Sequence, residues 1–413
     1  MSGSTGRLGD EFEACFGRLA TIGRDPAGGW TRLAWTDEDR AARAWFRSEA
    51  TARGLTVDQD PAGNLWAWWA GPEGDGVVAV GSHLDTVRGG GAYDGALGVV
   101  SGLLAVGELT GRGVEPRRPV AVVAFADEEG GRFGVPTFGS RLLTGALDRE
   151  DVLERADQDG VTVARAMAAA AGVDPGGVGA DPARLGRLAA FVELHVEQGR
   201  GLVDLGQPVA LGTGIWPHGR WRLTLTGEAN HAGTTRLADR RDPMLGLAAA
   251  VLAARAAATE LGAVATVGRV VVAPNSANSV PARVVAWLDA RAEQDQTLDW
   301  LVAAFQAAVE DAAGRNGLTV ELDRESRSPA VEFDRDLTDR VYACLRASGL
   351  EPPALPTAAG HDAGSLAAAV PTAMLFVRNP TGTSHSPEEA AELDDCLAGV
   401  RALVAVIEEL ACR

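Results

Sequence analysis

GSHLDTVRGGGAYDGALG, residues 81–98, decides how this chain folds. It follows an apolar run at 77–80, Val-Val-Ala-Val, with the composition of a buried strand. His83 and Asp85 stand two apart, a spacing that points both side chains to one face of an extended chain. Gly89, Gly90 and Gly91 make the following turn compliant, and a helical pattern starts at Gly95, just after Asp94. One histidine and two aspartates at a strand end can ligate a divalent metal. A polar strand end of this composition can equally be structural, and the rest of the chain decides between the two.

Two more apolar runs end the same way. Residues 120–125 lead into Asp127-Glu128-Glu129-Gly130, and residues 188–192 lead into Glu193-Leu194-His195-Val196-Glu197-Gln198-Gly199. Open α/β sheets place their chemistry beyond the carboxyl ends of strands, and strands alternating with helices imply a mixed α/β sheet. The helices are predicted within residues 10–54, where Phe12, Cys15, Phe16, Leu19 and Ile22 recur at helical spacing and Asp37-Glu38-Asp39 opens a second helix. Others are expected at 95–109 and in the alanine-rich stretch 148–172, followed by a surface loop at 172–186. Trp66, Trp68 and Trp69 fall in a strand pattern and read as core and interface packing rather than a sugar platform.

From about residue 214 the pattern changes. Trp221, Leu223 and Leu225 alternate with Arg222, Thr224 and Thr226, as in a half-exposed strand. A helix at 242–261, strands at 264–272 and 284–290, a helix at 297–313 and a strand at 318–322 complete a β-α-β-β-α-β order, that of a ferredoxin-like module. A helix at 337–347, a loop at 352–363, a strand at 373–377, a loop at 379–387 and a terminal helix return to the first pattern. The expected organisation is therefore a discontinuous domain, residues 1–213 and 329–413, interrupted by an inserted domain at 214–328.

Composition narrows the chemistry. The 413 residues are 46% hydrophobic, enough for sizeable cores in two or three domains. A formal net charge of −18 argues against nucleic acid and against an anionic membrane surface as partners. There is no lysine, so all 38 basic side chains are arginine. That excludes Schiff-base and pyridoxal-phosphate chemistry and the Walker phosphate loop. No Gly-x-Ser-x-Gly nucleophile elbow occurs. Cys15, Cys344, Cys396 and Cys412 lack paired ligand spacing and read as reduced thiols. Residues 1–23 lack the basic start and apolar run of a signal peptide, and no uninterrupted apolar window has the length of a membrane helix. A cytoplasmic location is expected.

Of six histidines, His83, His231, His361 and His385 fall in loops or strand ends rich in Gly, Asp, Glu, Asn or Ser. Alone, each is more often a hydrogen-bonded structural residue. Together with Asp94 and the Glu128-Glu129 pair they suggest imidazole and carboxylate ligation of zinc, manganese or cobalt.

His83-Leu84-Asp85, Tyr93-Asp94-Gly95, Glu128-Glu129-Gly130-x-Arg132-Phe133, Glu193 to Gly199, Asn230-His231-Ala232-Gly233-Thr234-Thr235, Pro274-Asn275-x-x-Asn278 and Ser384-His385-Ser386-Pro387 follow one order and spacing. In this the chain resembles the ureido-hydrolysing branch of the di-zinc aminopeptidase superfamily: allantoate amidohydrolases, N-carbamoyl-L-amino-acid hydrolases and β-ureidopropionases. The resemblance implies a di-metal peptidase-like catalytic domain with an inserted lid and dimerisation domain, and two divalent ions (zinc, manganese, cobalt or nickel) per subunit. It implies that Asp94 bridges the ions, His83 and His195 complete one site, and Glu129 and His385 the other. Asp85 would fix the His83 tautomer, and Glu128 would act as general base on a water acidified between the ions. Gln198, His231, Asn278, Arg291, Gly360 and His361 would bind the ureido acid, with His231 also assisting catalysis and reaching the site through a homodimer. Asp362 joins His361 on a site-lining loop.

The implied activity is cleavage of the carbamoyl C–N bond of allantoate or an N-carbamoyl-L-amino acid. The alternatives are an aminoacylase or dipeptidase of the same superfamily, or a metal-stabilised binding protein without turnover. Two departures, Arg236 where relatives commonly have proline and the Trp216-Pro217-His218 stretch, bear on substrate choice and tilt it toward allantoate.

Overall fold

The three apolar runs that end in acidic or histidine residues become neighbouring parallel strands. Val77–His83 lies between Val120–Phe125 and Leu188–Val196, parallel to both. Almost every residue of the three is buried, as a sheet covered on both faces requires. In this computed structural model the described residues are 2–171 and 175–413.

Thr372–Val377 continues the sheet parallel to Leu188–Val196, and Val209–Ile215 then runs antiparallel to it. At the other side Leu65–Trp69 is antiparallel to Val120–Phe125, and Thr56–Gln59 to Leu65–Trp69. The result is a nine-stranded mixed sheet, so the α/β expectation holds. One face packs Val78, Val80, Val122, Val192 and Leu375 against helices Ser2–Leu19, Ala96–Gly111 and Leu393–Ile407. The opposite face carries aromatic side chains: Phe125 meets Trp66 and Phe191 edge-on at 6.3 and 5.6 Å. Trp66 and Trp68 are buried there as packing residues.

The strand expected at 188–192 runs four residues further, which puts Glu193 and His195 inside the sheet rather than beyond it. The predicted helix at 148–172 is two helices, Arg149–Leu153 and Val163–Ala171. Between them Asp157 accepts from the N–H groups of Asp159 and Val161, and this turn stops the first. Residue 172, where that predicted helix meets the predicted surface loop, and residues 173–174 of the loop lie outside the described residues; the rest of the loop includes the short helix Pro182–Leu185, capped by Asp181. The loop expected at 352–363 holds strand Ala354–Thr357 and opens helix Asp362–Leu366. Thr56–Gln59 and Val209–Ile215, too short or too glycine-rich to show a period, were not anticipated as strands.

By contacts the chain divides into two units: residues to Thr213 with Glu332–Leu355 and Gly360–Arg413, and Gly214–Val331 with Pro356–Ala359. The second unit is a four-stranded antiparallel sheet in the order Thr319–Ser328, His218–Thr226, Arg283–Arg291, Val264–Ala273. Helices Pro243–Leu261 and Asp295–Asn316 close its core, which holds Leu223, Leu225, Leu288 and Phe305. Pro243–Leu261 is apolar and long enough to cross a membrane on composition, but its stripe Leu247, Ala250, Ala254, Ala257, Ala258 is buried in this core.

Candidate metal centre

Because the three strands are parallel, their carboxyl ends share one edge, and His83, His195 and the acidic turn meet there. Asp94, in the turn that enters helix Ala96–Gly111, sits between the histidines: its Oδ1 is 3.3 Å from His83 Nε2 and 3.2 Å from His195 Nε2. Each ring has its other nitrogen against a main-chain carbonyl, His83 Nδ1 at 3.1 Å from Asp85 O and His195 Nδ1 at 2.8 Å from Val196 O. A nitrogen facing a carbonyl carries the hydrogen, so each ring in its neutral form turns its Nε2 lone pair toward Asp94. The Gly95 N–H, 3.2 Å from His195 Nε2, is consistent with that tautomer. His83 Nε2 is buried without a hydrogen-bond partner. Three acceptors facing one another in a buried space repel unless a positive charge lies among them, and this donor set suits a divalent ion.

Asp94 presents its other oxygen to a second group. Oδ2 is 3.5 Å from His385 Nε2, and His385 Nε2 is 3.3 Å from Glu129 Oε2. Gln198 Nε2 donates to Oδ2 at 2.9 Å and Ser384 Oγ at 3.2 Å. Glu129 Oε1 has no partner. In each trio, His83–Asp94–His195 and Asp94–Glu129–His385, the ligand atoms lie within 4.8 Å of one another. Electrostatics agree with that arrangement. Burial opposes charging His195, yet the Asp94 carboxylate raises it to about 9. Glu129 is pushed up to about 8 by burial and by Asp94, a cost that a cation between them would relieve.

Asp85 behaves differently from expectation. Its carboxylate accepts the N–H groups of Glu128 and Glu129, both at 3.1 Å, and lies 3.7 Å from His83 Nδ1. The shorter contact to that nitrogen comes from the main-chain carbonyl of Asp85, so its backbone sets the tautomer and its side chain fixes the acidic turn. Glu128 is buried, with Oε2 3.8 Å from His83 Nε2, and belongs to neither trio. Burial, eased by His83, holds its carboxyl well above the usual carboxylate range. Asp127 takes a left-handed φ of 52°, which turns the chain sharply before the two glutamates.

His361 is buried with its ring edge-on to His195 at 4.5 Å, and its Nε2 has no partner. Gly360 precedes it, and Asp362 accepts from Ser140 Oγ at 2.5 Å. Glu193, quoted in the motif without a role, takes a hydrogen bond from Ser82 Oγ and one from the Ala363 N–H, each 2.7 Å, and so ties the His361 loop to the sheet.

Gly95 leaves no room beside the His83 ring. At φ +65° a Cβ there would meet the His83 ring at 2.4 Å. Gly95→Ala is therefore expected to displace His83 and weaken metal binding at least ~10-fold, measured by competition of the loaded protein with a chromophoric chelator.

The other candidates belong to the second unit. His231 is exposed in a short ladder pairing with Ser279, and its Nδ1 accepts from the N–H groups of Gly233 and Thr234 at 3.0 and 3.2 Å. Its Nε2 therefore carries the hydrogen and points outward as a donor. Asn278 accepts from Ser276 Oγ at 2.6 Å through Oδ1 and from the Ala232 N–H at 2.9 Å through its carbonyl. Arg291 binds Asp289 Oδ1 through Nε (2.9 Å) and the Ala358 carbonyl through Nη1 (2.7 Å), which leaves N–H donors on both terminal nitrogens. Arg291 pairs with His218 at one end of its strand, whereas the His231 ladder lies past the other end, beyond the Arg283–Thr226 pair. Eight strand steps span about 26 Å. One copy of this unit does not bring His231 and Arg291 to a single small ligand.

Residues 79–409 match Peptidase family M20/M25/M40. The chain is 38% identical over 395 residues to the N-carbamoyl-L-amino acid amidohydrolase of Geobacillus stearothermophilus, covering 95% of this chain and 96% of that one. It is 33% identical to the allantoate amidohydrolase of Bacillus subtilis, covering 95% of both. The crystal structure of an amidase of the hydantoinase/carbamoylase family from Burkholderia vietnamiensis superposes with a TM-score of 0.88, 33% identity and 98% of both chains covered. This chain belongs to Peptidase family M20/M25/M40.

Proposed function

We propose that this chain is a metal-dependent amidohydrolase that cleaves the carbamoyl C–N bond of allantoate or an N-carbamoyl-L-amino acid, releasing ammonia and carbon dioxide. The observation that carries the reading is Asp94, which turns one carboxylate oxygen to His83 and His195 and the other to His385 beside Glu129. Two divalent ions, zinc, manganese, cobalt or nickel, which His83, Asp94 and His195 and Asp94, Glu129 and His385 would hold, would supply Lewis acidity and make a bound water more acidic.

The protein's own groups do the rest. Glu128, outside both trios, takes the proton of the attacking water and returns it to the departing nitrogen. His231 donates its Nε2 hydrogen to the carbonyl oxygen as negative charge develops there. Gln198, Asn278, Gly360 and His361 contact the ureido group, and the terminal nitrogens of Arg291 grip the substrate carboxylate as a fork. Because His231 and Arg291 lie toward opposite ends of strand Arg283–Arg291, a homodimer in which each copy lends its partner one of the two completes the site. The second unit then serves as a ferredoxin-like lid and dimerisation domain. Cys15, Cys344, Cys396 and Cys412 are free thiols, which suits an enzyme of the cytoplasm.

The test is ammonia release from allantoate, N-carbamoyl-L-amino acids and β-ureidopropionate, with release of free amino acid followed in parallel for N-acetyl amino acids and dipeptides. Turnover confined to the last two would replace this reading with an aminoacylase or dipeptidase, and no turnover at all with a binding protein. Arg291→Leu is expected to raise KM about 10–100-fold, the worth of charge-assisted hydrogen bonds to a carboxylate, with bound metal unchanged.

A further inference from the structure

Glu389 is 5% exposed and none of the roles assigned above uses it. Its Oε1 accepts two consecutive main-chain N–H groups, those of Tyr93 at 2.9 Å and Asp94 at 3.0 Å. Its Oε2 lies 3.3 Å from Ser384 Oγ, and the same hydroxyl is 3.2 Å from Asp94 Oδ2. Asp94 is thus held at both ends, at its amide by Glu389 and at its carboxylate by the serine that Glu389 also touches. The segment holding His385 is tied to the 93–94 turn by the same contacts. Space for them is made by Gly91, where a Cβ would meet Glu389 Oε1 at 2.1 Å. A buried carboxylate is costly unless donors compensate it, and two aligned amides do so while fixing the direction in which Asp94 leaves the chain.

The geometry points to Glu389 as the positioning residue for Asp94: through the Tyr93 and Asp94 amides and Ser384 it sets the direction in which Asp94 turns one oxygen to His83 and His195 and the other to His385. It belongs to neither ligand trio. The inference rests on the metal reading of Asp94 proposed above.

The test loads full-length protein with Co2+ and competes it with a chromophoric chelator while recording the visible Co2+ spectrum. Glu389→Ala, Glu389→Asp and Glu389→Gln are compared with the parent and with Asp94→Ala. Glutamine keeps an oxygen of the right reach, so Glu389→Gln should stay within about threefold of the parent, whereas the Ala and Asp variants should lose about 10–100-fold and alter the spectrum. The Asp variant keeps the charge but is one methylene short, so the Asp–Gln contrast separates geometry from charge. It also decides the matter if circular dichroism shows that the Ala variant does not fold. Parent-like binding by Asp94→Ala would overturn the metal reading itself. Impaired Asp94→Ala with parent-like Glu389→Asp, or Glu389→Gln as weak as Glu389→Asp, would overturn this proposal alone.

Discussion

Glu128→Gln is expected to lower kcat by about 10²–10⁴-fold, the range a lost general base commands, while bound metal and KM hardly change. The reasoning starts from two adjacent carboxylates with different surroundings. Glu129 points to His385, 3.3 Å away, whereas Glu128 is enclosed and lies 3.8 Å from the His83 ring nitrogen, outside both ligand trios. Asp85 holds both of their amides, so the turn keeps its shape when one side chain is changed. Glutamine matches the volume and cannot take a proton. Metal analysis together with steady-state kinetics checks the outcome: metal lost in step with activity would make Glu128 a ligand, and unchanged kcat would remove it from the mechanism.

Asp94→Ala should abolish binding of both ions and all measurable turnover. Each trio includes this carboxylate, so its removal reduces both to two groups at once. The parent should also unfold a few degrees lower when stripped by chelator, since an ion at 100 times its dissociation constant contributes about 2.7 kcal/mol per site to the folded state. Asp94→Ala should melt at the same temperature with and without chelator. Calorimetry read beside metal content distinguishes the outcomes; an Asp94→Ala protein that still holds one ion would show that the trios are independent.

Much of the sheet was legible because polarity changes abruptly where buried strands end. Val77-Val78-Ala79-Val80 before His83 and Val120 to Phe125 before the acidic turn can hardly be exposed, and parallel pairing then places their ends together. The grouping of His83, Asp94, His195, Glu129 and His385 was implied by the family resemblance their motifs carry, and in the structure they form two trios that share Asp94. Three things were not legible. Glu389 looks like half of a solvated Glu-Glu pair, since nothing near it in sequence announces the Tyr93 and Asp94 amides that it caps. The hydrogen bond of the Asp85 main chain to His83 is invisible because a sequence carries no carbonyl directions. Ala354–Thr357 contains a proline and is four residues long, so it shows no period, and only its neighbour in the sheet makes it a strand.

Thr372–Val377 fills the gap between Leu188–Val196 and Val209–Ile215, yet the whole second unit lies before it in the chain. A polypeptide emerging from the ribosome therefore carries four of the five converging side chains, with one edge of Leu188–Val196 still unpaired, until Thr372–Val377 and His385 follow. Sheet closure and arrival of His385 come together, only after the second unit has been made. A chain cut short within Gly214–Val331 would therefore expose that strand edge and lack one member of the second trio.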